Sequence, residues 1–233
     1  VGRLRTAPAP GGGGELNFAF ASCQNWEQGH YTAYEHMAAE ELDLVAHLGD
    51  YIYEYAGRDR VREHHGFEVV TVEDYRRRYA QYKSDPALQA AHARCPWLVT
   101  WDDHDYGDND ETRHYPLKAE SLAIFRDFWN YESRIPEDQP GIWHQETFSL
   151  GDQTLQVIML DVRYHRDYPE TGGDILGEQQ WAWFEEALQV EADLRIIASG
   201  SQILLGRDSV SETWARYPKS RQRLFQTIRE RGL

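Results

Sequence analysis

Three short apolar segments of this chain each end on acidic residues, and that recurrence constrains the fold more than any other feature. Leu42-Asp43-Leu44-Val45-Ala46-His47-Leu48 closes on Gly49-Asp50. Trp97-Leu98-Val99-Thr100-Trp101 closes on Asp102-Asp103-His104-Asp105, and Thr154 to Leu160 closes on Asp161. Runs this short and this apolar read as buried strands. Carboxylates placed just past a strand, rather than inside it, project from the carboxyl edge of a sheet, where open α/β folds gather their ligands.

The intervening segments support an α/β fold. Leu16 to Ala21 alternates large apolar residues with small or polar ones, which predicts a strand running into the loop Ser22-Cys23-Gln24-Asn25. Tyr31 to Glu41 has helical spacing. Strand, helix and strand in this order form a βαβ unit with parallel strands, so Cys23 and Asp50 are predicted on one sheet edge. Residues 57–72 carry mixed charges and read as an excursion. Helices are predicted over Val72–Lys83, Leu117–Tyr131, Glu178–Val190 and Lys219–Arg231, the last capped by Gly232. Glu146–Leu150 and Thr154–Leu160 flank Gly151-Asp152 and predict a hairpin, and Arg195–Ser199 predicts a further strand. Ala7-Pro8-Ala9-Pro10 with Gly11 to Gly14 reads as a linker over 1–14, leaving 15–233 as one domain.

Composition excludes several classes. A formal charge of −15 disfavours general nucleic-acid binding, which needs a basic face. It leaves a small phosphate ester open as substrate, because bound cations reverse the local sign. No apolar run approaches the ~20 residues that cross a bilayer, so no transmembrane segment is predicted. No export signal is visible at Val1, which leaves a cytoplasmic or a processed protein open. The two cysteines, Cys23 and Cys95, cannot build a disulfide framework and are expected free and buried.

Four constellations carry chemistry, each beside a plainer reading. In Gly49-Asp50-Tyr51-Ile52-Tyr53-Glu54, a carboxylate held on a tight turn suits a bridge between two metal ions, and Tyr53 can swing back to the same ion. The same residues also read as a strand-ending turn followed by aromatic core. Between Asp102 and Glu111 stand six carboxylates, a crowding that cations or solvent must screen. Hard cations such as calcium prefer those ligands, though the EF-hand spacing is not met. There His104 suits a ligand, a general acid or a phosphate hydrogen-bond donor; a solvated acidic loop is the alternative. In Leu160-Asp161-Val162-Arg163-Tyr164-His165-Arg166, Arg163 and Arg166 offer forks that match phosphate oxygens. For Asp161, a salt bridge to a nearby arginine is the favoured reading. Cys23 offers a soft metal ligand, or merely packs. A serine hydrolase built on Ser22 or Ser201 lacks a Gly-x-Ser-x-Gly elbow.

Taken in order, Phe20-Ala21-Ser22-Cys23-Gln24, Asp43 through Tyr55, Trp101-Asp102-Asp103-His104-Asp105 and Leu160-Asp161-Val162-Arg163 resemble the alkaline phosphatase D (PhoD-like) family of metallophosphoesterases, over nearly all of residues 16–233. The resemblance implies a four-layer α/β sandwich, two mixed sheets between helices. It implies a cluster of Fe3+ and Ca2+, with other divalent cations also open. Asp50 would bridge metals, Cys23 and Tyr53 would bind the ferric ion, and Asp103 its partner ion. His104 would contact phosphate or donate a proton, with Arg163 and Arg166 as helpers. The activity implied is hydrolysis of phosphate monoesters or diesters, lipid headgroups included, by metal-activated hydroxide, in a periplasmic or extracellular protein. Family members carry a further Gly-Asp-x-His segment downstream, so the chain is expected to be C-terminally incomplete, lacking its last strands and leaving a sheet edge open. The competing reading is an inactive fragment that binds calcium or a protein partner.

Overall fold

Two three-stranded sheets face each other in the computed structural model, which describes residues 15–131, 134–206 and 212–232. The linker expected over 1–14 lies outside the described residues. The first sheet has the order β1 (Phe18–Ala21), β2 (Leu44–Leu48), β3 (Trp97–Thr100), all parallel. The second has the order β4 (His144–Leu150), β5 (Gln153–Met159), β6 (Leu194–Ala198); β4 and β5 form the expected antiparallel hairpin, and β6 lies parallel to β5. Only the second sheet is therefore mixed.

Period-two alternation builds the layers. On β2 and β3, Val45, Trp97 and Val99 face the helices α1 (Thr32–Ala39), α2 (Val72–Lys83), α3 (Pro86–His92) and α5 (Lys118–Trp129). Their neighbours Leu44 and Leu98 turn the other way and meet Leu155, Val157 and Met159 of β5 between the sheets. Ile158 of β5 points outward again, onto α6 (Gly177–Ala187) and α7 (Pro218–Glu230) through Trp181, Phe184 and Leu224. Helix, sheet, sheet, helix is the four-layer order expected. The sheets are also tied at their carboxyl ends, where the Thr100 hydroxyl donates to the Leu160 carbonyl at 2.7 Å.

α2 spans the predicted residues, because Tyr75, Tyr79 and Tyr82 recur at i, i+4 and i+7 and are all buried. α3 is not among the predicted helices. Its signal is local: Pro86 takes the first helical position, and the Asp85 carboxylate accepts from the Ala87 and Leu88 amides at 2.9 and 3.1 Å. Arg62 completes the cap, 2.6 Å from the second oxygen of Asp85. Asp85→Ala is expected to lower unfolding stability by about 2 kcal/mol, the upper end for a lost cap. A denaturant midpoint matching the parent would contradict that role.

Both cysteines are free as expected, but only Cys95 is buried; Cys23 is exposed. It stands past the end of β1, an edge strand that also exposes Phe18 and Phe20. The favoured pairing of Asp161 with an arginine side chain is not what forms. Its Oδ1 accepts from Trp101 Nε1 at 2.7 Å and from the Arg163 and Tyr164 amides at 2.9 and 3.0 Å. Its Oδ2 accepts from the Ile142 amide at 3.0 Å. Backbone amides reach this fully buried carboxylate without an arginine fork, so Asp161 organises the turn after β5.

Candidate metal centre

The parallel register of β1, β2 and β3 delivers Cys23, Asp50 and Asp103 to one sheet edge. Two of these positions are held in backbone that side chains rarely adopt: φ is +55° at Cys23 and +54° at Asp50. The strain is over-determined by neighbours. The Cys23 amide donates to the Gly49 carbonyl at 3.2 Å and the Gln24 amide to the Asp50 carbonyl at 3.1 Å. From the next strand end, Asp105 Oδ1 accepts from the Tyr51 and Ile52 amides at 2.7 and 3.1 Å. Non-glycine residues pinned in the left-handed region cluster at functional sites.

Asp103 and His104 lie on α4 (Asp103–Tyr106), a single helical turn inside the acidic run. Asp102 caps it in a reciprocal box with Asp105, whose Oδ2 accepts from the Asp102 amide at 3.1 Å. Six carboxylates in sequence thus divide into unlike roles. Asp102 and Asp105 hold backbone, while Asp103 faces Asp50.

Donor atoms of Asp50, Asp103 and His104, all three buried, lie within 4.8 Å of one another. Tyr53 reaches the same group: its hydroxyl donates to Asp50 Oδ2 at 3.2 Å, and its ring stacks on His104 with centroids 4.2 Å apart. Cys23 stands beside them, close enough for Asp50 and Tyr53 to act on its thiol. Asp50 Oδ1, in contrast, is buried and accepts no hydrogen bond among the described residues. An unpaired buried carboxylate oxygen beside sulfur, phenol, imidazole and carboxylate donors fits a metal ion.

Electrostatics point the same way. Burial, then the charges of Asp102, Asp103 and Asp105, push the Asp50 carboxyl up to about 8. Cys23 is exposed as a residue, yet desolvation of its thiol, and then the Asp50 charge, raise it to about 11. Burial and Asp50 likewise drive the Tyr53 phenol far above its ordinary range. Burial works against a charged His104, but Glu54 and the charges of Asp103 and Asp50 outweigh it and raise the imidazole to about 9. A cluster this repulsive is relieved by cations.

Residues outside the predicted set complete the centre. Glu54 Oε2 lies 2.7 Å from His104 Nδ1, and its Oε1 accepts from the Asn109 amide at 3.0 Å. The signal was in plain view, since Glu54 closes the Gly49-to-Glu54 segment, but its partner is fifty positions away in sequence. Glu212 forms a second carboxylate group with Asp103 and Asp110. Arg163 reaches Asp103, with Nη2 3.5 Å from Oδ1, whereas Arg166 binds Glu212 at 2.6 Å and stays one contact removed. Both arginines are almost wholly buried, at 1% and 0% exposure, and neither presents a free fork to a ligand.

Comparison with known proteins bears on the family and the fold. A family described as "PhoD-like phosphatase" matches residues 18–233. The chain is 35% identical to alkaline phosphatase D of Bacillus subtilis (strain 168), covering 100% of this chain and 46% of that protein. A solved structure described as "Structure of PhoD" superposes with a TM-score of 0.79 at 33% identity, over 98% of this chain and 51% of that one. A purple acid phosphatase, PPD1 from yellow lupin seeds, shares the fold alone, with a TM-score of 0.53 at 13% identity over 84% of this chain and 32% of its own. The chain thus spans about half the length of the relatives it matches. With its strand-end carboxylates, fold and sequence in accord, the chain belongs to the PhoD-like phosphatase family.

Proposed function

We propose that this chain supplies a cation centre for metal-dependent hydrolysis of phosphate esters, with Asp50, Asp103 and His104 at its heart and Cys23 and Tyr53 beside them. The observation that carries the reading is the buried, unpartnered Asp50 Oδ1 amid the carboxylate of Asp103 and the imidazole of His104. Bound cations supply Lewis-acid charge for phosphoryl oxygens and lower the pKa of water.

The chain's own residues set which cations fit. Cys23 and Tyr53 hold their protons tightly, so each must release one to become a ligand, which favours a cation of high charge. That supports Fe3+ beside Cys23 and Tyr53, while the carboxylates of Asp50 and Asp103 suit Ca2+ or another hard divalent ion. Glu54 engages His104 Nδ1, which leaves Nε2 as the nitrogen for a phosphate oxygen or for a proton to a leaving group. Small monoesters and diesters fit this chemistry, lipid headgroups among them. Family membership supports a periplasmic or extracellular protein; among the described residues no helix is long and apolar enough to cross a membrane.

The metal-free cluster has a pH signature. Asp50 rises from its ordinary 3.8 to about 8, so its contribution to stability is full below 3.8 and is lost as pH climbs to about 8. The raised His104 contributes in the same direction, its share being lost as pH passes about 9. A cation takes over from those protons. Scanning calorimetry is therefore expected to give a larger cation-induced rise in melting temperature at pH 8 than at pH 5. Equal gains at both pH values would contradict the assignment of the site.

The direct test uses the full-length protein, with metal analysis and turnover of p-nitrophenyl phosphate and bis-p-nitrophenyl phosphate. Bound iron and calcium, a visible tyrosinate band and loss of activity on chelation are expected. Full activity after complete metal removal would overturn the mechanism. Cation binding with no turnover would favour the binding-module alternative.

A further inference from the structure

We propose that Arg163 is a positioning residue that never touches substrate: its fork, braced by Glu212 and Arg166, sets the aim of Asp103 toward Asp50 and His104. The proposal rests on the cation site argued above and deepens it.

Arg163 follows β5 in the second sheet, while Asp102 and Asp103 follow β3 in the first. Its side chain spans the gap. Nε donates to Asp102 Oδ1, and Nη2 lies 3.5 Å from Asp103 Oδ1. Nη1 lies 2.6 Å from Glu212 Oε2 and donates to the Glu111 carbonyl at 3.3 Å. All three nitrogens are therefore engaged, and the guanidinium is buried from any phosphate. Arg166 repeats the pattern one contact back: Nε donates to the Tyr217 hydroxyl at 2.9 Å, Nη1 to Ser201 Oγ at 3.1 Å and Nη2 to Glu212 Oε1 at 2.6 Å. Glu212 thus bridges two arginines and locks the first in place.

The consequence is mechanical. Asp102 caps α4, so a fork gripping Asp102 fixes the helix that carries Asp103 and His104. Arg163 also holds the far end of the acidic run through the Glu111 carbonyl. A planar fork can hold two carboxylates in register; a lysine ammonium cannot. Burying such a cation is costly unless its partners are all in place, which makes the arrangement rigid.

Charge and positioning predict opposite results. A buried cation beside a metal ligand repels metal, so an Arg163 that were only a countercharge would weaken binding by its presence. Calcium and manganese titrations by calorimetry, into the parent and into Arg163→Lys and Arg163→Met, separate the cases. Positioning expects both variants to bind cation about tenfold or more weakly, the range seen when a metal ligand loses its support. Inorganic phosphate should bind the cation-loaded Arg163→Lys protein as it binds the loaded parent. Unchanged cation binding in Arg163→Lys with tighter binding in Arg163→Met would overturn the proposal, as would normal cation binding with lost phosphate binding. Should neither variant fold, Arg166→Lys carries the test, since Arg166 belongs to neither cation group and braces Glu212: it is expected to weaken cation binding several-fold, and parent-like affinity would overturn the proposal. A parent protein that binds no cation at all would sink the cation site itself, a failure distinct from any of these.

Discussion

Asp50→Asn is expected to abolish cation binding while making the metal-free protein more stable. The two effects share one cause. Asp50 is buried among Asp102, Asp103 and Asp105, which hold its carboxyl up at about 8. An amide removes that repulsion but also removes the ligand charge. Asparagine tolerates the left-handed backbone that Asp50 occupies at φ +54°, so the turn itself should survive. Losing a direct ligand should weaken cation affinity by at least ~100-fold, since even outer partners of a ligand are worth 10–100-fold. Titration calorimetry reads the first effect, and a denaturant midpoint near pH 8 under chelation reads the second. A variant that binds cation normally, or that is less stable than the parent without metal, would count against the site.

Gly49→Ala is expected to be the most damaging single change to the fold of this edge, on the order of 3 kcal/mol or more. A methyl group there would sit 2.5 Å from the Asp102 amide nitrogen and 2.7 Å from the Trp101 carbonyl carbon. Both are backbone atoms and cannot swing aside. The residue also stands at φ +104°, where a side chain adds strain of its own. From the other sheet Gly200 closes on the same peptide, with a methyl position 2.8 Å from the Trp101 carbonyl oxygen. Two glycines thus clasp the start of the acidic run from both sides, and that approach brings Asp103 within reach of Asp50. Gly29 is the control, because a methyl there meets nothing within 4 Å. Gly29→Ala should stay within about 0.5 kcal/mol of the parent. Equal stabilities for the two variants in urea would contradict the clasp.

Much of this arrangement was legible in the chain before any coordinates. A strand's carboxyl end can be located from where an apolar run stops, so Cys23, Asp50 and Asp103 could be placed on one edge. Parallel pairing of β1 and β2 followed from the helix between them. The rest depended on partners far away in sequence. Glu54 resembles any acid after a turn until His104, across the sheet edge, meets it. Asp105 resembles its neighbours until its oxygens are found on the Tyr51, Ile52 and Asp102 amides. Asp161 carries a charge that suggests an arginine, yet backbone amides and an indole satisfy it first. The forks of Arg163 and Arg166 suit phosphate by type, but sequence cannot reveal that carboxylates and hydroxyls already fill them. α3 was missed for a different reason: its apolar stretch is short, and only the Asp85-Pro86 cap announces it.

Anomalous diffraction from crystals of the protein grown with iron or manganese probes the shared centre most directly. A peak about 2.0–2.6 Å from an oxygen of Asp50, with Asp103 or His104 in the same coordination shell, is the expected result. A fully occupied peak bound elsewhere, with the Asp50 and Asp103 side chains turned apart, would contradict it.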